Sequence, residues 1–438
     1  MLWNSLVEDA LRKTYQNAIS LGTQARKAEA VKRLSFYHDE QLEYIEAQLK
    51  RHFAQPEKLT PCFLNVVKKV INNLSMVYLD SPIRTVDGTE REQTVFKEIV
   101  STTGLTLKMK TVNRYTKLLK TVLIRPVWRK GRMDLDILTP DILDVTWGDT
   151  PEDLLSVLIT HYPESGRKDE MHYSLWTTEE IRELDYRGNV TIAEPNPYQI
   201  VPFVPCWDRC PTSDFWLGGG DDLIIAQEAI NEKLTDLLYV IRMQGFGAPW
   251  IKGLEDTSYQ VFFGPGSVTK LPIDGEMGFA KTNAPIAEIL EAIEFLIKQT
   301  AIHNSLSASA LSTDPTEESG IARIIGNREL EEMRRDDIEL FRRYEGQAFE
   351  VMKKIWNYHE SGRKFSDKAT LQIDFFDPKP QTSLKDQAET WDRLMDMGVI
   401  SPVDVVMERN RDLKTREEAL AHLLKLQQER EQLTERSF

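Results

Sequence analysis

One face of the stretch from Ile321 to Ile355 is apolar at helical spacing: Ile321, Ile324, Ile325, Leu330, Met333, Leu340, Phe341, Tyr344, Ala348, Val351, Met352 and Ile355. Just before it, "DPTE" offers Asp314 as an N-cap acid, Pro315 at the first helical position and Glu317 where a capping box needs it. The spacing predicts one helix from Asp314 to about Tyr358, a rod of about 60 Å at 1.5 Å per residue. Its opposite face mixes Arg and Glu evenly. A helix of that length is either buried inside a large domain or braces one part of an assembly against another.

The segments before the rod change period. From Leu2 to about Lys120 the pattern is helical. In "LTPCFLNVVKKVINNLSMVYL", Thr60 is the expected N-cap, Pro61 the first helical residue, and Phe63, Val66, Val67, Val70, Ile71 and Leu74 the stripe. Between Thr121 and Trp207 the alternation falls to two, in short β-branched and aromatic pieces such as "TVLIRPVW", "LSVLITHY" and "MHYSLWT". That pattern predicts an antiparallel sheet. Asp134 and Asp136 share one face of a strand, where acids belong to a solvated surface.

"GGGDDLIIAQEAINEKLTDLLYVIRMQGFG" opens on a glycine hinge and continues as a long helix with Leu223, Ile224, Ile230, Leu234, Leu237 and Ile241 among its apolar positions. A phosphate loop is excluded because Asp221 and Asp222, rather than Lys-Ser or Lys-Thr, follow the glycines. A Gly- and Pro-rich excursion separates this helix from a second, "IAEILEAIEFLIKQTAIHNS", closed by His303 against the helix dipole. The link after it, "SLSASALSTDPTEESG", contains almost nothing large enough to pack. A single strand, "KATLQIDFFDP", precedes a helical C-terminal block. Its last helix alternates charges around Ala419, Leu420, Leu423, Leu424 and Leu426, which suits packing between subunits.

Bulk properties narrow the chemistry. With 41% hydrophobic and 28% charged residues the chain is expected to bury a core. The opening "MLWNSLVEDALRKTYQNAIS" spaces Leu2, Trp3, Leu6, Val7, Ala10 and Leu11 helically among charges, which is not a signal-peptide pattern. No apolar run approaches the roughly 20 residues of a membrane span, so assembly from the cytosol is expected. Cys62, Cys206 and Cys210 are too few for a disulfide framework. "CWDRC" lacks further zinc ligands at workable spacing. No nucleophile elbow, Walker loop or His-Glu-x-x-His is present.

No metal, no cofactor and no catalytic residue is therefore expected. The competing enzyme reading is a metal-dependent phosphodiester hydrolase built on Asp221, Asp222, Asp374 and Asp377. Each of those acids borders an element where a cap or turn accounts for it. The formal net charge of -14 excludes a protein that grips DNA over its whole surface.

In order, the parts resemble a tailed-bacteriophage portal protein. The resemblance runs from about Tyr78 onward and rests on a series. It begins with "VYLDSPI" and a β-rich stretch, followed by "DDLIIAQEAINEKLTDLLYVIRMQGFGAPWI", a Gly/Pro-rich insertion and a second helix. A polar loop into "ESGIA" and then "DFFDPKPQTSLKDQAETWDRLMDMGVISPVDVVMERN" complete it. Other virion scaffold or adaptor proteins remain the second alternative.

The resemblance implies a mainly helical α+β fold of portal architecture. It divides the chain into N-terminal helices and a β-rich wing over 1–220, a stem helix over 221–247, a clip over 248–285 and a second stem helix over 286–303. A tunnel loop over 304–313, a wing helix and strand over 314–380, and a helical crown over 381–438 complete the division. It implies a ring, dodecameric in this family, with heterologous contacts that close. It places the ring at a unique capsid vertex of the virion after assembly in the host cytoplasm. Partners would be double-stranded DNA passing without sequence readout, the terminase large subunit with its separate ATPase, neck or adaptor proteins, and major capsid and scaffold proteins.

On that reading Asn304, Ser305, Ser307, Ser309, Ser312 and Thr313 face the channel and touch phosphates weakly. Glu288, Glu291 and Glu294 are candidate channel-facing acids of the stem. Lys270, Asp274 and Glu276 are candidate clip contacts to terminase or adaptor. The loop lacks Lys and Arg from Asn304 to Thr313, so a tight electrostatic hold is not expected there.

Overall fold

A computed structural model describes residues 16, 18, 20–53, 56, 59–246, 248–252, 276–280, 285–311, 328–376, 384–410 and 415–435. The chain forms two compact units, Met1–Glu317 with Ile325–Phe376, and Glu318–Ile324 with Asp377–Phe438.

The first unit opens with helices α1 (Leu21–Tyr37), α2 (Leu42–His52) and α3 (Val66–Leu74). The start expected at Thr60 and Pro61 is corrected: α3 begins five residues later, at Val66 rather than Pro61, with Asn65 rather than Thr60 as its N-cap. Asn65 Oδ1 accepts from the Lys68 N–H at 2.8 Å, and the Val66 and Val67 N–H groups are taken by Gln227 Oε1 at 2.8 and 3.1 Å. The first turn is thus satisfied by partners that only the tertiary fold supplies. Val66, Val67, Val70, Ile71 and Leu74 are buried as the stripe predicted. Phe63 packs instead beside a small cluster of Ile45, Leu49 and Leu59.

The all-helical reading up to Lys120 is broken by a strand, β1 (Ile83–Asp87), ahead of α4 (Glu90–Thr103) and α5 (Leu105–Leu119). β1 is short and burial touches only Val86 within it, so its period-two signal is faint. A reciprocal capping box of Thr89 and Glu92 starts α4, and Gly104 at φ 62° ends it in the left-handed conformation. Glu92 also accepts from the Ser366 N–H at 2.6 Å. These backbone donors, Ser366 first and Thr89 next, hold its carboxyl down to about 2. Because the folded carboxyl titrates below its ordinary value of 4.5, it contributes stability that is complete above that pH and is lost as pH falls toward 2. Replacing Glu92 by Gln should flatten the acid limb of the unfolding curve between pH 4.5 and 2, read by circular dichroism.

Strands β2 (Thr121–Arg129), β3 (Arg132–Leu138), β4 (Leu143–Trp147), β5 (Leu154–His161), β6 (His172–Thr177), β7 (Glu180–Leu184), β8 (Val190–Pro195) and β9 (Val204–Trp207) follow. They form two sheets rather than the one expected: β3-β2-β9, and a meander β4-β5-β6-β7-β8. The chain leaves the first sheet after Leu138, runs the meander, and returns so that Trp207 pairs with Thr121. Asp134 and Asp136 do share a face, and cations occupy it with them: Lys108 and Arg129 pair with Asp134, Arg125 and Arg129 with Asp136.

After β9 come α6 (Asp221–Phe246), the ribbon β10 (Ala248–Lys252) and β11 (Glu276–Ala280), α7 (Ile286–His303), α8 (Arg328–His359) and β12 (Thr370–Asp374). The described part of the rod is α8, 32 residues and so about 48 Å long. The expected start at Asp314 and the apolar positions Ile321, Ile324 and Ile325 lie outside the described residues. One face of α8, with Ile338, Phe341, Tyr344, Phe349, Met352 and Trp356, runs through the main core. The lone C-terminal strand is not lone: β12 pairs antiparallel with β1, from Ile83 opposite Asp374 to Asp87 opposite Thr370.

The second unit contains α9 (Leu384–Asp396), α10 (Pro402–Arg409) and α11 (Arg416–Glu435). Ser401 and Asp404 form a capping box at α10, with Pro402 at its first position. Among the described side chains of this unit only Ala419 is buried, while Met397 and Val399 are 73% and 66% exposed. The architecture of the chain as a whole is mainly helical α+β, as expected.

Candidate functional site

Helices α6 and α7 are joined by the β10-β11 segment and pack on one another. Three features fix α6 in unit 1. Glycines 219 and 220, at φ 110° and 87°, turn the chain into it through backbone angles that side chains rarely adopt. Arg33 then pairs with Asp221 and donates to the Gly219 carbonyl at 2.8 Å. Finally, a buried polar ladder of Gln227, Asn231 and Thr235 occupies one line of the helix at i, i+4 and i+8. Gln227 Nε2 donates to Leu64 O and Asn231 Oδ1, both at 2.7 Å; Asn231 Nδ2 donates to Gln41 at 2.8 Å; Thr235 Oγ1 accepts from the Cys62 N–H at 3.2 Å. With these groups mutually satisfied, the helix is held in one register against α2 and α3.

On α7, Glu288, Glu291 and Glu294 are all exposed, Glu288 and Glu291 on the side away from buried Ile293 and Thr300, and Glu294 in line with buried Ala301 seven positions on. At 100° per residue they spread over a strip about 120° wide. The same side carries Phe295 and Ile302, 61% and 53% exposed. Lys298 Nζ stands 3.7 Å from Glu294. His303 closes α7 and lies 3.1 Å from Asp222 in the first turn of α6, a partner more specific than the helix dipole alone.

The loop after α7 differs from the unpackable link expected. Asn304 and Ser305 make a turn, Ser305 at φ 56°, and Ala308–Leu311 form a short 3-10 turn. Leu306 and Leu311 are 5% and 7% exposed and join a core cluster with Ile71, Leu74, Ala301 and Leu330. The polar residues are the loop's filling and its two leucines are anchors. Asn304 Nδ2 donates to Thr300 O at 2.8 Å, and the Ser307 carbonyl accepts from the Ala310 N–H at 2.9 Å. Ser309 lies in the short turn, while Ser312 and Thr313 lie outside the described residues.

In the ribbon, Glu276 sits opposite Lys252 with an Nζ to Oε2 distance of 3.9 Å, both exposed. Lys270 and Asp274 lie outside the described residues. Trp250 pairs with Gly278, where an added Cβ would come within 2.7 Å of the indole, so only glycine lets the ring lie flat there.

Beside the start of α6, Lys117 from α5 sits 2.9 Å from Asp208 and 2.8 Å from Asp337 of α8, and Lys120 takes the other oxygen of Asp208 at 2.9 Å. Burial raises Asp337 to about 6 against the pull of Lys117. Burial also pushes Asp208 up, but Lys120 and Lys117 together outweigh it and hold that carboxyl below its ordinary range. Neither this network nor the polar ladder stands out in sequence, though the i, i+4, i+8 spacing of Gln227, Asn231 and Thr235 inside an apolar helix was a usable signal.

The acids of the hydrolase reading are dispersed. Asp221 is paired with Arg33, Asp222 with His303, Asp374 ends β12, and Asp377 lies outside the described residues. Among the described residues no group of three or more His, Cys, Asp or Glu could hold a metal ion. Cys206 is buried and Cys210 exposed, so "CWDRC" presents no paired thiols. No helix among the described residues is long and apolar enough to cross a membrane.

The sequence matches the family described as phage portal protein, SPP1 Gp6-like, over residues 60–433. The chain belongs to that family and is a component of a phage particle. Among curated proteins no match is found. Two similar solved structures are "Virion of native gene transfer agent (GTA) particle", 12% identical with a TM-score of 0.43, and "Neck of empty GTA particle computed with C6 symmetry", 13% identical with a TM-score of 0.45. Each match covers 77% of this chain and 88% of the other. Likeness at that level supports no inference about partners.

Proposed function

We propose that this chain is the repeating subunit of a portal ring at one capsid vertex, a conduit for double-stranded DNA during packaging and ejection. Family membership over residues 60–433 is the observation that carries the reading. Residues 221–247 and 286–303 are its stem, 248–285 its clip, 304–313 its tunnel loop, 1–220 and 314–380 its wing, and 381–438 its crown. The ring has twelve copies. The clip, through Lys270, Asp274 and Glu276, meets the terminase large subunit and later the neck proteins, and the wing meets capsid and scaffold proteins. The subunit performs no catalysis, and the terminase supplies the energy of translocation.

Exposed apolar side chains support an assembly of many copies. Ile225, Leu238 and Ile241 on α6, and Leu420 and Leu424 on α11 are exposed in the single chain. Their number is what neighbouring copies would cover. Electron microscopy and native mass measurement should give annular particles of twelve copies with a bore and no magnesium-dependent nuclease activity. A compact monomer that cleaves DNA would replace this reading with the hydrolase, and a solid oligomer with a scaffold or adaptor.

In the ring, Glu288, Glu291 and Glu294 keep the wall acidic, so that a duplex carrying one charge per about 1.7 Å slides rather than sticks. Asn304, Ser305, Ser307, Ser309, Ser312 and Thr313 add weak, sequence-blind contacts. Changing all three glutamates to lysine should leave ring formation intact and lower packaging about tenfold, through tighter phosphate binding. Unchanged packaging in a nuclease-protection assay would remove the acidic wall from the mechanism.

A further inference from the structure

The edge of a β-sheet is an open template for another strand unless something blunts it. Outside the β10-β11 ribbon, every edge strand of the first unit but one carries a side chain of that unit on its backbone. Gln93 of α4 donates to Val86 O of β1 at 3.3 Å, Lys108 of α5 to Leu135 O of β3 at 2.8 Å, and Arg26 of α1 to Leu143 O of β4 at 2.8 Å. On β9, the Tyr344 hydroxyl of α8 accepts from the Trp207 N–H at 3.0 Å and donates to its carbonyl at 3.1 Å, and Arg342 donates to Ile373 O of β12 at 3.1 Å. The exception is β8, the last strand of the meander. Its residues are exposed throughout, Val190 and Ile192 at 47% and 53%, and among the described residues no side chain reaches its backbone. We propose that β8 is the docking edge for an extended, basic segment of a different particle protein, which adds to the meander as a further strand.

Ladder geometry fixes which groups are on offer. Just beyond β8 the Asn196 N–H donates to Glu179 O at 2.8 Å, and counting back through the antiparallel register leaves Ala193 and Arg182 as a pair that exchanges no hydrogen bonds. The Ala193 N–H and carbonyl therefore point to the open side. The hairpin presents them from a firm turn, with Gly188 at φ 84° and the Asp185 carboxylate accepting from the Arg187 and Asn189 N–H groups at 2.9 and 2.8 Å. Charge and symmetry select the occupant. Glu179 and Glu194 stand exposed near the end of this edge with no cation paired to either among the described residues, so a strand carrying Lys or Arg complements it. A second copy of the chain fits less well. Its own edges, the ribbon aside, are already capped, and β8 against β8 is a two-fold pairing that stops at two copies and cannot run round a ring. The proposal rests on reading 1–220 as a wing that meets other particle proteins.

Two measurements test this. Hydrogen exchange in β8 is compared between the isolated protein and purified particles, and should slow about tenfold or more in the particle. Separately, Ile192→Cys is labelled with a benzophenone in a Cys62→Ser, Cys210→Ser background and irradiated in assembled particles. Mass spectrometry should then find β8 linked to a Lys- or Arg-bearing segment of a protein other than this one. Ala193→Pro removes the outward N–H and leaves the β7 ladder its donors, so it should cut that link about fivefold or more, as should Glu194→Lys, whereas Ala193→Gly should keep it. Links to this chain's own peptides alone, or a β8 as unprotected in particles as in isolation, overturn the proposal. A link to another protein that Ala193→Pro and Glu194→Lys both leave at full yield overturns it too, because the edge and its charge then hold nothing. Should Ala193→Pro fail to fold, exchange in the parent and the yield with Glu194→Lys still decide. Annular particles with an unprotected β8 remove the docking edge and leave the conduit standing, while a compact monomer removes the conduit reading itself.

Discussion

Replacing Lys117 by Met is expected to cost about 3–5 kcal/mol of stability in the first unit, the usual loss when one partner of a buried ion pair is removed. Lys117 is 5% exposed and serves two carboxylates from different parts of the chain, Asp208 after β9 and Asp337 on α8. Methionine fills the stem of the lysine but leaves Asp337 without a cation, whereas Asp208 keeps Lys120. The loss should depend on pH with a definite sign. Asp337 already titrates at about 6, above its ordinary 3.8, because burial disfavours its charge. A raised carboxyl makes the folded state bind the extra proton, so stability falls as pH rises from 3.8 through 6. Removing Lys117 deepens that fall, so the gap between variant and parent should be widest at pH 7 and should narrow toward pH 4. Adding Asp337→Asn should recover much of the loss at pH 7. Denaturant midpoints across that range would show it; a gap independent of pH would mean that packing, not the stranded charge, carries the cost.

That network also shows where reading the sequence stops. The apolar stripe of α8 from Leu330 to Ile355, the alternation from Thr121 to Trp207, and the two helices flanking the ribbon are periodic over many residues, and within the described residues helices and strands stand where those periods placed them. What failed were features decided by partners far along the chain. α3 starts at Val66 because Gln227, some 160 residues on, accepts its first N–H groups. One sheet became two because β9 returns to β2 across the whole meander, and β1 exists because β12 is there to pair with it. At the candidate site the sequence placed the glutamates of α7 on the surface. It did not reveal that Phe295 and Ile302 share that side, since exposure of an apolar residue is a property of its surroundings. The loop after α7 is mostly small and polar in sequence, and nothing local marks Leu306 and Leu311 as its buried anchors, because the cluster they join comes from α3, α7 and α8.

Those leucines give the second large effect. Leu306→Ala with Leu311→Ala removes two buried side chains from the cluster that holds the loop against α3 and α7, at about 2–5 kcal/mol each. The loop lies after α7 and can detach without unfolding the rest, so the global midpoint should move by less than the sum. Instead, protease cleavage near 304–311 should rise sharply in rings that still assemble. If the loop contributes to the conduit, its position matters because Ser305 and Ser307 flank Leu306, and both are placed by that anchor. Uprooted loops would then lower packaging in the nuclease-protection assay while Ser305→Ala with Ser307→Ala, which keeps both anchors, lowers it much less. Equal losses would assign the effect to the hydroxyls, and no loss in the leucine variant, despite cleavage, would take the loop out of the DNA path altogether.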